Sequence, residues 1–299
     1  MHNSSIDHNY IQRCSFLFLR GRTPNAGLAI MSKLKFKHKW VLVTGASSGL
    51  GYELAIQLAT QYEANLLVVA RRADKLEALK TYVEQHTSSK VKTITADLSK
   101  VADADRVMDI ALAEPGLCGI ILNAGITYFG RLTEMDWEQF EKMLQTNVTG
   151  MVRMAQRTAV HFEQTGAEGG LMVVSSMAAI LPTPYQAAYS GTKAFMLNFI
   201  SALAHEMKNK CFSYTVFLPG GMTTEMTNNE KFSALKNWMM PVAVAARTAL
   251  HAFHKRKATC VPGTSNKLGA YLSGLIPKRI IVGGMARTYS RALEGKKRL

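Results

Sequence analysis

No apolar run in this 299-residue chain approaches the roughly 20 residues that a membrane-spanning helix needs. The stretch Cys14–Leu19 is too short for the core of a secretory signal and lacks a convincing cleavage site. Cysteine is scarce. Cys14, Cys118, Cys211 and Cys260 lie too far apart for a thiolate metal site or a small disulfide scaffold, which fits a reducing cytosol and a cytoplasmic location. His205, His251 and His254 have no partners at ligand spacing, so they read as surface or packing residues and no metal is expected. With 8 prolines, no internal repeat and no low-complexity tract, the 47% of hydrophobic residues can serve one globular core.

Acidic residues are nearly missing from both ends. Residues 1–40 hold seven Lys and Arg against Asp7 alone, and residues 255–299 hold eleven against Glu294 alone. Between them 18 bases meet 19 acids, so the net charge of +15 belongs to the termini. A body that tracked nucleic-acid phosphates would need its positive charge in the middle, and nucleic acid is excluded as its partner. The chain therefore divides into a basic N-terminal extension over 1–36, a body over 37–264 and a basic tail over 265–299. Met31 offers an alternative start that would leave the extension outside the working protein.

Within the body, apolar runs alternate with stretches of helical periodicity, the pattern of an α/β protein with one Rossmann-type, doubly wound parallel sheet and helices on both faces. The runs Trp40–Val43, Leu66–Val69, Val91–Thr95, Gly119–Leu122, Leu171–Val174 and Tyr214–Leu218 predict six strands. Helices are expected over Gly49–Tyr62, after a cap at Asp74, over Trp137–His161 with Phe140, Leu144, Val148, Val152 and Ala155 buried, and over Ala188–Met207. A sheet of this kind binds ligands beyond the carboxyl ends of its strands, where the strand order reverses. Gly45, Asn123, Ser176 and Pro219 each fall just past a strand end.

Gly45, Ser47, Ser48, Gly49, Leu50 and Gly51 form a turn between the first strand and its helix. Glycines there let a pyrophosphate approach the free N–H groups of a helix N-terminus. After the second strand come Arg71 and Arg72; an acid there would serve a ribose hydroxyl, whereas a guanidinium accommodates a 2′-phosphate. Tyr189 and Lys193 are one helical turn apart and share a face, so the lysine can bias the phenol toward its anion. Such a pair is common by chance and carries weight only in its setting.

In that setting the series Gly45-x-x-x-Gly49-x-Gly51, Asn123-Ala124-Gly125, Asn147, Ser176, Tyr189/Lys193 and Pro219-Gly220 resembles the short-chain dehydrogenase/reductase family, over about Lys37 to Gly263. The resemblance implies a nicotinamide-dependent oxidoreductase acting on CH–OH and C=O groups. Tyr189 would be its general acid/base, Ser176 a donor to the substrate oxygen, and Asn147 the holder of a water relaying protons from Lys193. It places Asp97 and Leu98 at the adenine, Asn123, Ala124 and Gly125 along the ribose, and Pro219, Gly220 and Thr224 at the nicotinamide. Ala70 stands where NAD-preferring relatives carry Asp, which points to NADP(H) over NAD(H), with Arg71 favoured over Arg72 for the phosphate. Glu63 departs from the Gly that relatives often have before their second strand. The resemblance also implies a homo-oligomer.

Tyr185, Met222, Met226 and Trp238 are expected to line a substrate pocket, and the Met- and aromatic-rich stretch from Met222 to Met240 favours a hydrophobic carbonyl or alcohol. A non-catalytic NADP(H) sensor or scaffold, and an epimerase or dehydratase of the extended branch, are the alternatives. The intact Asn147/Ser176/Tyr189/Lys193 set weighs against the first, the glycine spacing and the lack of a large C-terminal substrate domain against the second. In the tail, Leu268, Tyr271, Leu272, Leu275 and Ile276 share one helical face, and the pattern resumes after Pro277. Two readings stay open there: a stripe packed on protein, or a peripheral element on an anionic membrane surface.

Overall fold

The computed structural model describes residues 32–223 and 239–294. In chain order the elements are β1 (Trp40–Thr44), α1 (Gly49–Tyr62), β2 (Asn65–Ala70), α2 (Ala73–His86), β3 (Val91–Thr95), α3 (Val101–Leu112) and β4 (Leu117–Leu122). Helix α4 (Trp137–Leu144) runs through a π-helical turn at Gln145–Thr149 into α5 (Gly150–Thr165). There follow β5 (Gly169–Val174), α6 (Ala187–Glu206), β6 (Phe212–Phe217), α7 (Val242–His254), β7 (Thr259–Cys260), α8 (Thr264–Leu272) and α9 (Lys278–Glu294).

The strands form one parallel sheet in the order β3-β2-β1-β4-β5-β6-β7. Alternation along each strand feeds two cores. Val41, Val43, Leu66 and Val68 pack with Leu54, Leu79 and Phe253 on one face. Leu42, Leu67, Ile120 and Leu171 pack with Val107, Met154 and Phe162 on the other. With both faces covered, the inner strands are buried almost throughout, whereas β3 at the edge exposes Lys92 and Thr95. The order reverses between β1 and β4, and the crevice opens there. Among the described residues no helix is long and apolar enough to cross a membrane.

The structure corrects the sequence in three places. Arg72, not Asp74, is the N-cap of α2; Asp74 lies inside the first turn, where its charge meets the positive end of the helix. The helix expected over Trp137–His161 buries Met143, Asn147, Met151, Met154 and Phe162, while Leu144 is exposed and Phe140, Val148 and Val152 are half-buried. The π-helical turn inserts a residue and rotates the helix beyond it, which leaves Val148 and Val152 half-buried, while Ala155 is buried as expected. Helix α7, unexpected from the sequence, buries the small Ala245, Ala246 and Ala249, which leave little hydrophobic contrast to read. Leu34 and Phe36 also join the core. Glu63 caps α1 with φ 51°, the left-handed conformation that explains a glycine in relatives.

At Gly150 the first turn of α5 passes the Leu98 carbonyl so closely that an added Cβ would sit 2.2 Å from the oxygen. Alanine is the better helix former by about 1 kcal/mol. The clash with backbone outweighs that preference, and Gly150→Ala is expected to destabilise the fold by about 1–3 kcal/mol. An unchanged or raised urea midpoint would show that the Leu98 loop yields freely.

Candidate active site

The glycine turn is held by contacts that exclude side chains. Gly45 (φ 69°) and Gly49 (φ 56°) are left-handed, and a Cβ on Gly51 would lie 2.2 Å from the Gly45 carbonyl oxygen. Thr44 joins two strand ends: its hydroxyl accepts from the Asn123 and Ala124 amides at 2.9 and 3.0 Å and donates to the Ile121 carbonyl at 3.3 Å. Asn123 donates back to the Thr44 carbonyl at 2.9 Å. The N-terminus of α1 has no side-chain cap and no acid in its first turn, so its N–H groups are suited to an anion.

A cavity of about 550 Å³ opens over this turn. Its lining includes Gly45, Ser47, Ser48, Gly49, Leu50, Arg71, Arg72, Asp97, Leu98, Asn123, Ala124, Gly125, Ser176, Tyr189, Lys193, Pro219, Gly220 and Met222. Gly51 and Asn147 stand behind its wall. Arg72 reaches back to the Ser47 hydroxyl at 3.1 Å, bracing the turn, while Arg71 is exposed at the cavity edge. Burial raises the Asp97 carboxyl, but bonds from the Ser99 hydroxyl and amide, with Arg71 and Lys142 nearby, bring it below its usual range. The turn, its open helix end and the guanidinium beyond β2 fit a dinucleotide carrying phosphates. No group of three or more His, Cys, Asp or Glu that could hold a metal occurs among the described residues.

At the other end of the cavity, the Ser176 hydroxyl stands beside the Tyr189 phenol. Ser176 also accepts from the Ala178 amide at 3.1 Å, whereas Ser175 points away and donates to the Lys193 carbonyl at 2.8 Å. Lys193 is buried; its ammonium lies 5.7 Å from the Tyr189 ring centroid and donates to the Val174 carbonyl at 3.0 Å. Removal from water pushes Lys193 down to about 8. The same cause raises Tyr189 above its ordinary 10.0, against the opposing influence of the Ser176 hydroxyl. The lysine therefore does not lower the phenol as expected from the sequence: here desolvation wins, and Tyr189 holds its proton at neutral pH.

Asn147 sits in the π-helical turn, fully buried. Its side-chain oxygen accepts from the Ile126 amide and its nitrogen donates to the Ile126 carbonyl, both at 2.8 Å, with a further bond to the Thr192 hydroxyl at 3.2 Å. It thus clamps the strand past Gly125 beside Lys193, whose ammonium would be 3.4 Å from a Cβ on Gly125. Thr44, Ile126 and Thr192 escaped the sequence. Thr44 signals itself only by preceding the glycine turn, and Ile126 contributes backbone, which no residue type announces.

Tyr189 also borders a second cavity of about 290 Å³, lined by Tyr128, Arg131, Leu132, Tyr185 and Gln186 among others. Tyr185 is held there at φ 62°, its carbonyl accepting from the Gly130 amide at 2.9 Å. Gly221, Met222 and Thr223 pair with Met240, closing the base of the segment between them. Thr224, Met226 and Trp238 lie outside the described residues.

The profile of the short chain dehydrogenase family matches residues 39–233. The human 17-beta-hydroxysteroid dehydrogenase type 3 is 31% identical over 201 residues, covering 66% of this chain and 63% of that protein. A very-long-chain 3-oxoacyl-CoA reductase of Neurospora crassa is 32% identical, covering 67% and 60%. The matches thus span about three fifths of these relatives' own length. Among solved structures, a short-chain dehydrogenase from Sphingobium yanoikuyae in complex with NADPH superposes with a TM-score of 0.71 at 27% identity, covering 79% of this chain and 94% of that one. With the fold, the strand-end placement of its motifs and a profile covering most of the body in agreement, the chain belongs to the short chain dehydrogenase family.

Proposed function

We propose that the protein is an NADP(H)-dependent oxidoreductase that transfers hydride between the nicotinamide and a hydrophobic carbonyl or alcohol. The observation that carries this reading is the buried lysine beneath a phenol that stands beside Ser176 and opens on the cavity of the glycine turn. A sensor or scaffold has no use for a desolvated ammonium in that place. The α1 N-terminus with Gly45, Ser47, Ser48, Gly49, Leu50 and Gly51 would hold the pyrophosphate. Arg71 would hold the 2′-phosphate, Asp97 and Leu98 would border the adenine, and Asn123, Ala124, Gly125, Pro219 and Gly220 would border the ribose and nicotinamide. When bound, the cofactor supplies or accepts the hydride.

In the reducing direction Tyr189 gives its proton to the carbonyl oxygen as negative charge develops there, and Ser176 donates a hydrogen bond to the same atom. Lys193 then stands against the phenolate that remains, and Asn147 keeps the wall beside it in place. Tyr185 and Met222 would border the substrate. The steroid and acyl-CoA activities in the names of the two curated relatives favour a bulky, apolar substrate. Trp137, Leu144 and Val160, exposed along α4 and α5, fit a contact with a second copy of the chain.

Screening carbonyl compounds for NADPH oxidation tests the activity directly. Tyr189→Phe is expected to lower turnover by on the order of 10²–10⁴ while leaving NADPH affinity nearly unchanged; retention of most of the rate would remove Tyr189 from the chemistry. Arg71→Ala is expected to weaken NADPH by roughly tenfold to a hundredfold and NADH by far less. Equal losses in a binding titration would place the 2′-phosphate elsewhere.

Lys193 adds a prediction about stability. The folded chain releases this proton near 8 and the unfolded chain near 10.5. Between those values the unfolded state binds more protons, so this group makes stability rise with pH across that window, and its cost is fully present below 8. That cost is on the order of 3 kcal/mol, less the bond to Val174. Lys193→Met is therefore expected to be inactive yet about 1–3 kcal/mol more stable than the wild type at pH 7, an advantage that shrinks by pH 10. Urea denaturation at both pH values decides it, and a variant no more stable at pH 7 contradicts the assigned cost.

A further inference from the structure

Helix α8 is amphipathic the wrong way round. Its buried positions are the small Ala270 and, just beyond its end, Ser273. Its large apolar residues face outward: Leu268 is 58% exposed, Tyr271 42% and Leu275 52%, with Leu272 and Ile276 between them. Ile280, at 60%, extends the face into the first turn of α9. A stripe at positions i, i+3, i+4, i+7 and i+8 ordinarily points to the core, and a contiguous exposed one marks a surface that something covers. Around it stand Lys267, Lys278 and Arg279, all exposed, and no acid occurs between Lys255 and Leu293.

We infer that this face, from Leu268 to Ile280, docks the protein on an anionic lipid bilayer, with the apolar side chains in the interface and the lysines and arginine at the headgroups. Charge complementarity selects this occupant. A two-fold contact with a second copy would lay the basic rim against itself, whereas anionic headgroups complement it. Position supports it as well. Tyr289 of α9 packs edge-on against Phe129 at 5.6 Å between ring centroids, beside Tyr128 and Gly130 of the second cavity. The second cavity is thus reached by the same helix whose first turn carries the end of the docked face.

Asn266 lies against Gly220, where a Cβ would be 2.8 Å from its amide, so truncating the tail would disturb the larger cavity. Point substitutions on the exposed face avoid that. Full-length protein is sedimented with vesicles of phosphatidylcholine alone and with vesicles containing phosphatidylglycerol, at low and high salt. The wild type is expected to pellet with the anionic vesicles and less so as salt rises. Leu272→Glu/Leu275→Glu/Ile280→Glu is expected to lose roughly tenfold or more of that binding while keeping the wild-type melting temperature. Lys267→Gln/Lys278→Gln/Arg279→Gln, which leaves the apolar face intact, tests the same surface if the first variant misfolds; its binding should fall on anionic vesicles alone. Wild-type protein that stays in the supernatant, or variants that pellet as it does, overturns the proposal. So does a wild type that ignores vesicles but whose oligomer falls apart in the glutamate variant, which would make the face a contact between copies. Vesicle binding is read without turnover, so its failure is separate from failure of the oxidoreductase reading.

Discussion

The Gly45 carbonyl lies where a side chain on Gly51 would begin, and the crevice depends on that contact. Because neither residue has a Cβ, β1 can turn into α1 with the helix N-terminus directly over the sheet, at the point where the strand order reverses. The neighbouring chain ends are then drawn to the same place. Thr44 and Asn123 tie the end of β1 to the end of β4, and Arg72 ties the end of β2 to Ser47. A methyl group at Gly51 would push α1 off these anchors, and the cavity would lose its floor.

Features encoded within one turn of chain were legible in the sequence. The glycine spacing states its own steric need, and Tyr189 and Lys193 share a face because helical geometry leaves no other option. The placement of Gly45, Asn123, Ser176 and Pro219 past strand ends needed only the apolar runs. The helix around Asn147 was not legible in the same way. Its π-helical turn is favoured by bonds to Ile126, a backbone partner 21 residues away, so no local period could reveal it. Val148 and Val152, in and after that turn, are half-buried as its consequence. The segment holding Thr224, Met226 and Trp238 stays an expectation from the sequence alone.

Desolvation reorders the two titrations at the centre of the site. In water a tyrosine and a lysine titrate close together. Burial raises the first and brings the second to about 8, so the amine gives up its proton well before the phenol. A phenol that holds its proton suits delivery to a developing alkoxide, and an amine titrating near neutrality can exchange protons with little driving force either way. Among the described residues no carboxylate acts on the pair. The lysine instead donates to the Val174 carbonyl, which would not restore its full charge.

The same demand for close approach that shapes the glycine turn accounts for the orientation of the tail. Helix α8 meets the Pro219–Gly220 loop through Asn266, whose side-chain amide would lie 2.8 Å from a Cβ on Gly220, and a Cβ on Gly263 would lie 2.8 Å from the end of the Met240 side chain. Only narrow side chains fit on the inner face, and Asn266, Ala270 and Ser273 supply them. The large apolar residues of the segment are left with the outer face. A hydrophobic pattern read from sequence reports the period of such a helix but not which side meets the body; here the small Ala270 and Ser273 take the inner face, and the leucines are left outside.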